Sequence, residues 1–172
     1  SELTVTFPGI YNLVFFDNSN LDTINIYPAS GESSQGTILR VDSMKLKKIK
    51  KVEHQYYTGI AINDGENCAV FTEWKNYISG WKTVPEIMPG EYELPVYTYD
   101  EANQFPSFTE NELLEYLASH GFNEAFESVK ECTGVPEKNW DIRIWKISYK
   151  ITGIDQNNMK VARVINFIYE GC

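Results

Sequence analysis

The chemistry this chain can offer lies in its aromatic and acidic residues. Aromatics make up 14% of the 172 residues, and the formal charge is −9. Tyr56, Tyr57, Trp74, Tyr77, Trp81, Tyr92, Tyr97, Tyr99, Trp140 and Trp145 are many rings for a chain of this length. Most must serve the core. Those near Asp141 or Glu73 could frame a pocket for a cationic aromatic ligand, because a ring face and a carboxylate both attract a cation.

Other chemistry finds less support. The two histidines, His54 and His120, have no partners at metal-ligand spacing. His120 precedes Gly121 at a helix end, where an imidazolium suits the helix dipole. Cys68, Cys132 and Cys172 are widely spaced, with no Cys-x-x-Cys. They fit either one disulfide with a free thiol or, more simply, three reduced thiols. No phosphate-cradling glycine loop is present, because the segment Ser30–Gly36 lacks a following Lys-Ser or Lys-Thr and a helix. No cofactor is implied, and no catalytic motif stands out. Glu110, Glu112, Glu124 and Glu127 read as charges favoured at helix N-termini.

Charge narrows the partners. An acidic chain is a poor general binder of nucleic acid or anionic lipid, and it favours cationic ligands or basic proteins. Five lysines fall between Ser43 and Val52: Lys45, Lys47, Lys48, Lys50 and Lys51. In so acidic a chain they read as a solvated face or a lysine-guarded strand edge. Apolar runs are too short to cross a membrane. Oligomeric state and compartment are left open, the cytoplasm being slightly favoured and export allowed.

The elements that position these residues follow from periodicity. Length sets the expectation of a single domain over residues 1–172. Leu3, Val5 and Phe7 alternate, as do Tyr11, Leu13 and Phe15, with a turn at Pro8-Gly9 between them. Thr37–Val41 is a short strand. His54–Ile62 and Cys68–Trp74 form a hairpin about the turn 63–67. Phe71, Trp74, Ile78 and Trp81 fit helical spacing or a strand and loop equally well. Pro89-Gly90 turns into a strand carrying Tyr92, Leu94 and Val96, which Pro95 marks as an edge or a bulge.

Thr109-Glu-Asn-Glu112 is a capping box, Leu113, Leu114 and Leu117 form an apolar face, and Gly121 is a stop. Asn123 is placed to cap a second helix that buries Phe126 and Val129. Residues 140–152 and 159–170 form a second hairpin, apolar on both faces and so central in its sheet. The expected fold is α+β: one largely antiparallel sheet, with a two-helix layer at about 109–133 packed on one face.

The run Ile87–Lys150 resembles the gyrase-inhibitor-like, multidrug effector-binding domain family. The likeness rests on Pro89-Gly90-Glu91-Tyr92, on the helix Glu112–Phe122, and on Trp140-Asp141. The first half departs from that pattern, since residues 10–45 carry no helical signal. The resemblance implies a non-enzymatic binding domain for hydrophobic cationic compounds. Asp141 would be the counter-charge, with Trp140, Tyr92 and Tyr97 as walls. An acidic protein-binding module (inhibitor, immunity-type protein or secreted adaptor) that recognises a basic partner is the other reading.

Overall fold

The computed structural model describes residues 3–7, 11–16, 22–29, 32–42, 46–63, 68–102, 104–134 and 138–169. The expected turns at 8–9 and 64–67, Lys45 and Cys172 lie outside the described residues. The strands are β1 (Leu3–Phe7), β2 (Tyr11–Phe16), β3 (Thr23–Ile26), β4 (Ile38–Asp42), β5 (Leu46–Asn63), β6 (Cys68–Phe71), β7 (Tyr77–Ile78), β8 (Lys82–Thr83), β9 (Glu86–Met88), β10 (Glu91–Glu93), β11 (Trp140–Asp155) and β12 (Lys160–Ile168). The helices are α1 (Tyr99–Ala102), α2 (Glu110–Ser119) and α3 (Asn123–Glu131). The fold is α+β, with largely antiparallel sheets and a packed helix pair. Among the described residues no helix is long and apolar enough to cross a membrane.

The chain gathers into two compact units. The first holds Ser1–Tyr56, Ser79–Tyr97 and Lys146–Ile168, and the second Tyr57–Ile78, Thr98–Trp145 and Tyr169–Cys172. In the first, an antiparallel sheet runs β2-β1-β4-β10-β9. Its alternation is plain in β4, where Leu39 and Val41 are buried between exposed Arg40 and Asp42. β11 and β12 pair from Lys146↔Ile168 to Ile154↔Lys160, and β3 lies parallel to β12. β12 is thus an interior strand, as its apolar faces require. Phe7, Tyr149 and Phe167 meet in the core, with Phe7 and Phe167 centroids 4.8 Å apart, edge to face.

Two strands differ from the periodicity. β5 runs unbroken from Leu46 through the lysine-rich stretch. β10 stops at Glu93, although Leu94 still donates to the Thr37 carbonyl and accepts from Gly36 N–H. Pro95 brings no donor to continue the ladder, so alternation fails and Val96 is exposed.

In the second unit, β5 and β6 form the expected hairpin with Asn63 opposite Cys68. Ile60, Ile62 and Phe71 from these strands pack with Phe105, Leu113, Leu117 and Val129. The helix pair therefore buries its apolar face against strands. Thr109 caps α2: its side chain accepts from Glu112 N–H, and Glu112 accepts from Thr109 N–H at 2.7 Å. Gly121, at φ +75°, takes the left-handed conformation that ends the helix. α3 begins one residue earlier than expected: Phe122 is its N-cap and Asn123 its first residue. Trp74–Trp81 is loop and the short strand β7, the strand-and-loop alternative of the two left open by the spacing.

A candidate acidic and aromatic groove

In the second unit one face of α2 carries Glu112, Glu115, Tyr116, Ser119 and His120, which share a stripe at i, i+3, i+4, i+7 and i+8. With Glu73, Trp74, Lys75 and Phe122 they line a broad groove of about 920 Å³. Leu113 and Leu117 anchor the opposite face, fixing which residues of α2 look outward.

The floor is built of rings. Trp74 stacks on Tyr116 at 4.9 Å between centroids and 16° between planes. Tyr116 meets His120 at 4.4 Å, and His120 lies within 8° of parallel to Phe122 at 6.3 Å. The His120 ring is oriented by Nδ1, which lies 2.9 Å from both the Tyr116 carbonyl and Ser119 Oγ. Phe122 leaves 40% of its surface exposed. A stack so formed presents negative ring faces to solvent.

The carboxylates fall into two sets. Glu112 is paired: Lys75 Nζ donates to its Oε1 at 2.8 Å and to the Ser107 carbonyl at 3.2 Å. The Lys75 hydrogen bond, followed by those from Thr109, pulls the Glu112 carboxyl down to about 2. Among the described residues no cation neutralises Glu73 or Glu115. With Lys75 and Glu112 cancelling, the groove keeps the charge of those two. Burial, and then the Glu73 carboxylate, raise the Tyr116 hydroxyl above its ordinary range. Lys75 Nζ stands 5.3 Å from the Trp74 ring centre, so a cation over a ring beside a carboxylate already exists here.

The residues expected from sequence are placed as follows. Trp140 and Asp141, in the second unit, line a hollow of about 340 Å³ with Ala61, Asn63, Lys138, Asn139 and Arg143. Asp141 accepts from Arg143 Nε at 2.8 and 2.9 Å, and Lys138 Nζ sits 4.3 Å above Trp140. Asp141 thus carries its own cation, and the hollow holds two positive charges to one negative. Tyr92 and Tyr97 belong to the first unit. Tyr92 is core, 5% exposed. The Tyr97 hydroxyl meets His54 Nδ1 at 2.7 Å, and its ring packs on Tyr56.

Of the groove residues, sequence reasoning names only Glu73 and Trp74, as residues able to frame a pocket. The α2 face was missed, although its polar and aromatic spacing opposite Leu113 and Leu117 was there to be read. Among the described residues no group of three or more His, Cys, Asp or Glu could hold a metal ion. Cys68 is disulfide-bonded and Cys132 is a free, partly buried thiol, in place of three reduced thiols. Protein-family models, curated proteins and solved structures contain no significant match to the chain.

Proposed function

We propose that the protein is a non-enzymatic binding module whose α2 groove receives a basic segment of a protein partner. The observation that carries this reading is the pair Glu73 and Glu115, without cations among the described residues, beside a partly exposed aromatic stack. Desolvating a carboxylate is costly unless a cation replaces the lost water, so such a site selects positive company. The chain's charge of −9 adds long-range attraction for a basic surface.

Breadth favours a protein chain over a small lipophilic cation. A small-molecule site encloses most of its ligand, roughly 70–90% of its surface. This groove instead lies open along a helix face. The alternative centre at Asp141 is internally neutralised by Arg143. The disulfide at Cys68 fits a module that works under oxidising conditions.

The test is fluorescence anisotropy of a labelled basic peptide against the whole protein and its Glu73→Gln/Glu115→Gln variant. Both carboxylates are exposed, so the fold tolerates the change. The variant should weaken binding about tenfold, the sum of two partly screened ion pairs, and salt should erase the difference. Equal affinity for the two proteins would overturn the proposal.

A further inference from the structure

We infer that the side chain the groove recognises is arginine, not lysine; this rests on the basic-partner reading above. Within the groove the resident Lys75 already occupies the Trp74 side, spending its donors on Glu112 and Ser107. What remains open is Tyr116, His120 and Phe122, bordered by Glu73 and Glu115. The His120 and Phe122 rings are nearly parallel, 8° apart with centroids at 6.3 Å, and the hydrogen bonds at His120 Nδ1 hold that orientation.

Parallel rings offer flat faces on which another plane can stack. A guanidinium is flat, delocalised and weakly hydrated, so it stacks on such a ring face and keeps its edge N–H groups free. Those edges point outward in a fork that suits carboxylates bidentately. Glu73 and Glu115 supply the acceptors. A lysine ammonium is a compact, strongly hydrated point charge. It would have to give up water on its ring side and gain no stacking there. Phe122, 40% exposed and joined to Phe71 at 5.0 Å, offers a ring face to an incoming plane.

The experiment compares two labelled peptides of equal length and charge, one with arginine and one with lysine at every basic position. Binding to the full chain is read by anisotropy. The arginine peptide should bind roughly fivefold more tightly, the size of a partly exposed ring-cation contact. Phe122→Leu and His120→Leu remove a ring face while keeping bulk, and each should weaken the arginine peptide more than the lysine peptide, shrinking that preference. Circular dichroism checks that both variants keep the native fold. Equal binding of the two peptides would overturn the arginine inference and leave the basic-partner reading standing. Failure of both peptides to bind would overturn both. A preference that survives both substitutions would overturn the placement on these rings.

Discussion

In the first unit Phe7, Tyr149 and Phe167 close on one another with no exposed surface, and the Tyr149 hydroxyl finds Ser34 at 3.0 Å. In the second, Trp74, Tyr116 and Phe122 also meet ring to ring, stacked or tilted, yet share their surface with solvent. The carboxylates divide the same way. Glu53, buried in the first unit, accepts from Lys51 at 2.7 Å and pairs with Lys150 at 3.0 Å. Its carboxyl is held below the usual range, chiefly by Lys51. Glu73 and Glu115 have no such partners among the described residues. Similar residue types therefore serve as structure where their valences are filled, and as a recognition surface where they are left open.

Substitutions can separate these roles. Phe167→Ala should cost about 4 kcal/mol of unfolding free energy in urea titration, the order for emptying an aromatic core site. Its remaining folded fraction should bind a basic peptide as the parent does. Leu117→Ala, 0% exposed under α2, should cost about 3 kcal/mol. It should also weaken the peptide, because it loosens the helix that carries the groove. Matching binding in the two variants would erase the proposed distinction.

Smaller changes sharpen it. A Cβ at Gly59 would stand 2.6 Å from the Phe71 carbonyl oxygen and 3.2 Å from Trp145. Gly59→Ala should therefore cost about 2 kcal/mol, measured by thermal unfolding, since backbone cannot yield as a flexible side chain does. Thr109→Ala removes the cap and should cost about 1 kcal/mol, with faster amide exchange confined to the first turn of α2. The smallest effect is one of pH. The folded Glu112 carboxyl sits at about 2 against an ordinary 4.5, so the charged form is favoured by folding. Its contribution is present above 4.5 and disappears as pH falls from there towards 2. Glu112→Gln should flatten the stability profile in that window, and an unchanged profile would show that the Lys75 contact is not maintained in solution.

Much of the scaffold was legible because its signals are local. The capping box at Thr109 and Glu112, the stop at Gly121 and the hairpin from β5 to β6 each depend on residues close in sequence. The α+β class followed from them. The contents of the groove were not so accessible. Trp74 meets Tyr116 only because a strand hairpin and a helix share the core of Phe71, Leu113 and Leu117. Nor could spacing foretell that Arg143, two residues along β11, would neutralise Asp141. Tyr92 was legible as a strand residue, but the face it turns to the core depended on pairing with Leu39 of β4. Counting carboxylates identified the charge of the chain; fold contacts decided which of them stayed unpaired.

The most direct test of that division is nuclear magnetic resonance of the whole protein as an arginine-bearing peptide is added. Ring and indole signals of Trp74, Tyr116 and Phe122 should shift with the peptide, while those of Trp140 and the Lys138–Arg143 segment stay in place. Shifts concentrated at Trp140 and Asp141, or no shifts at saturating peptide, would contradict the account.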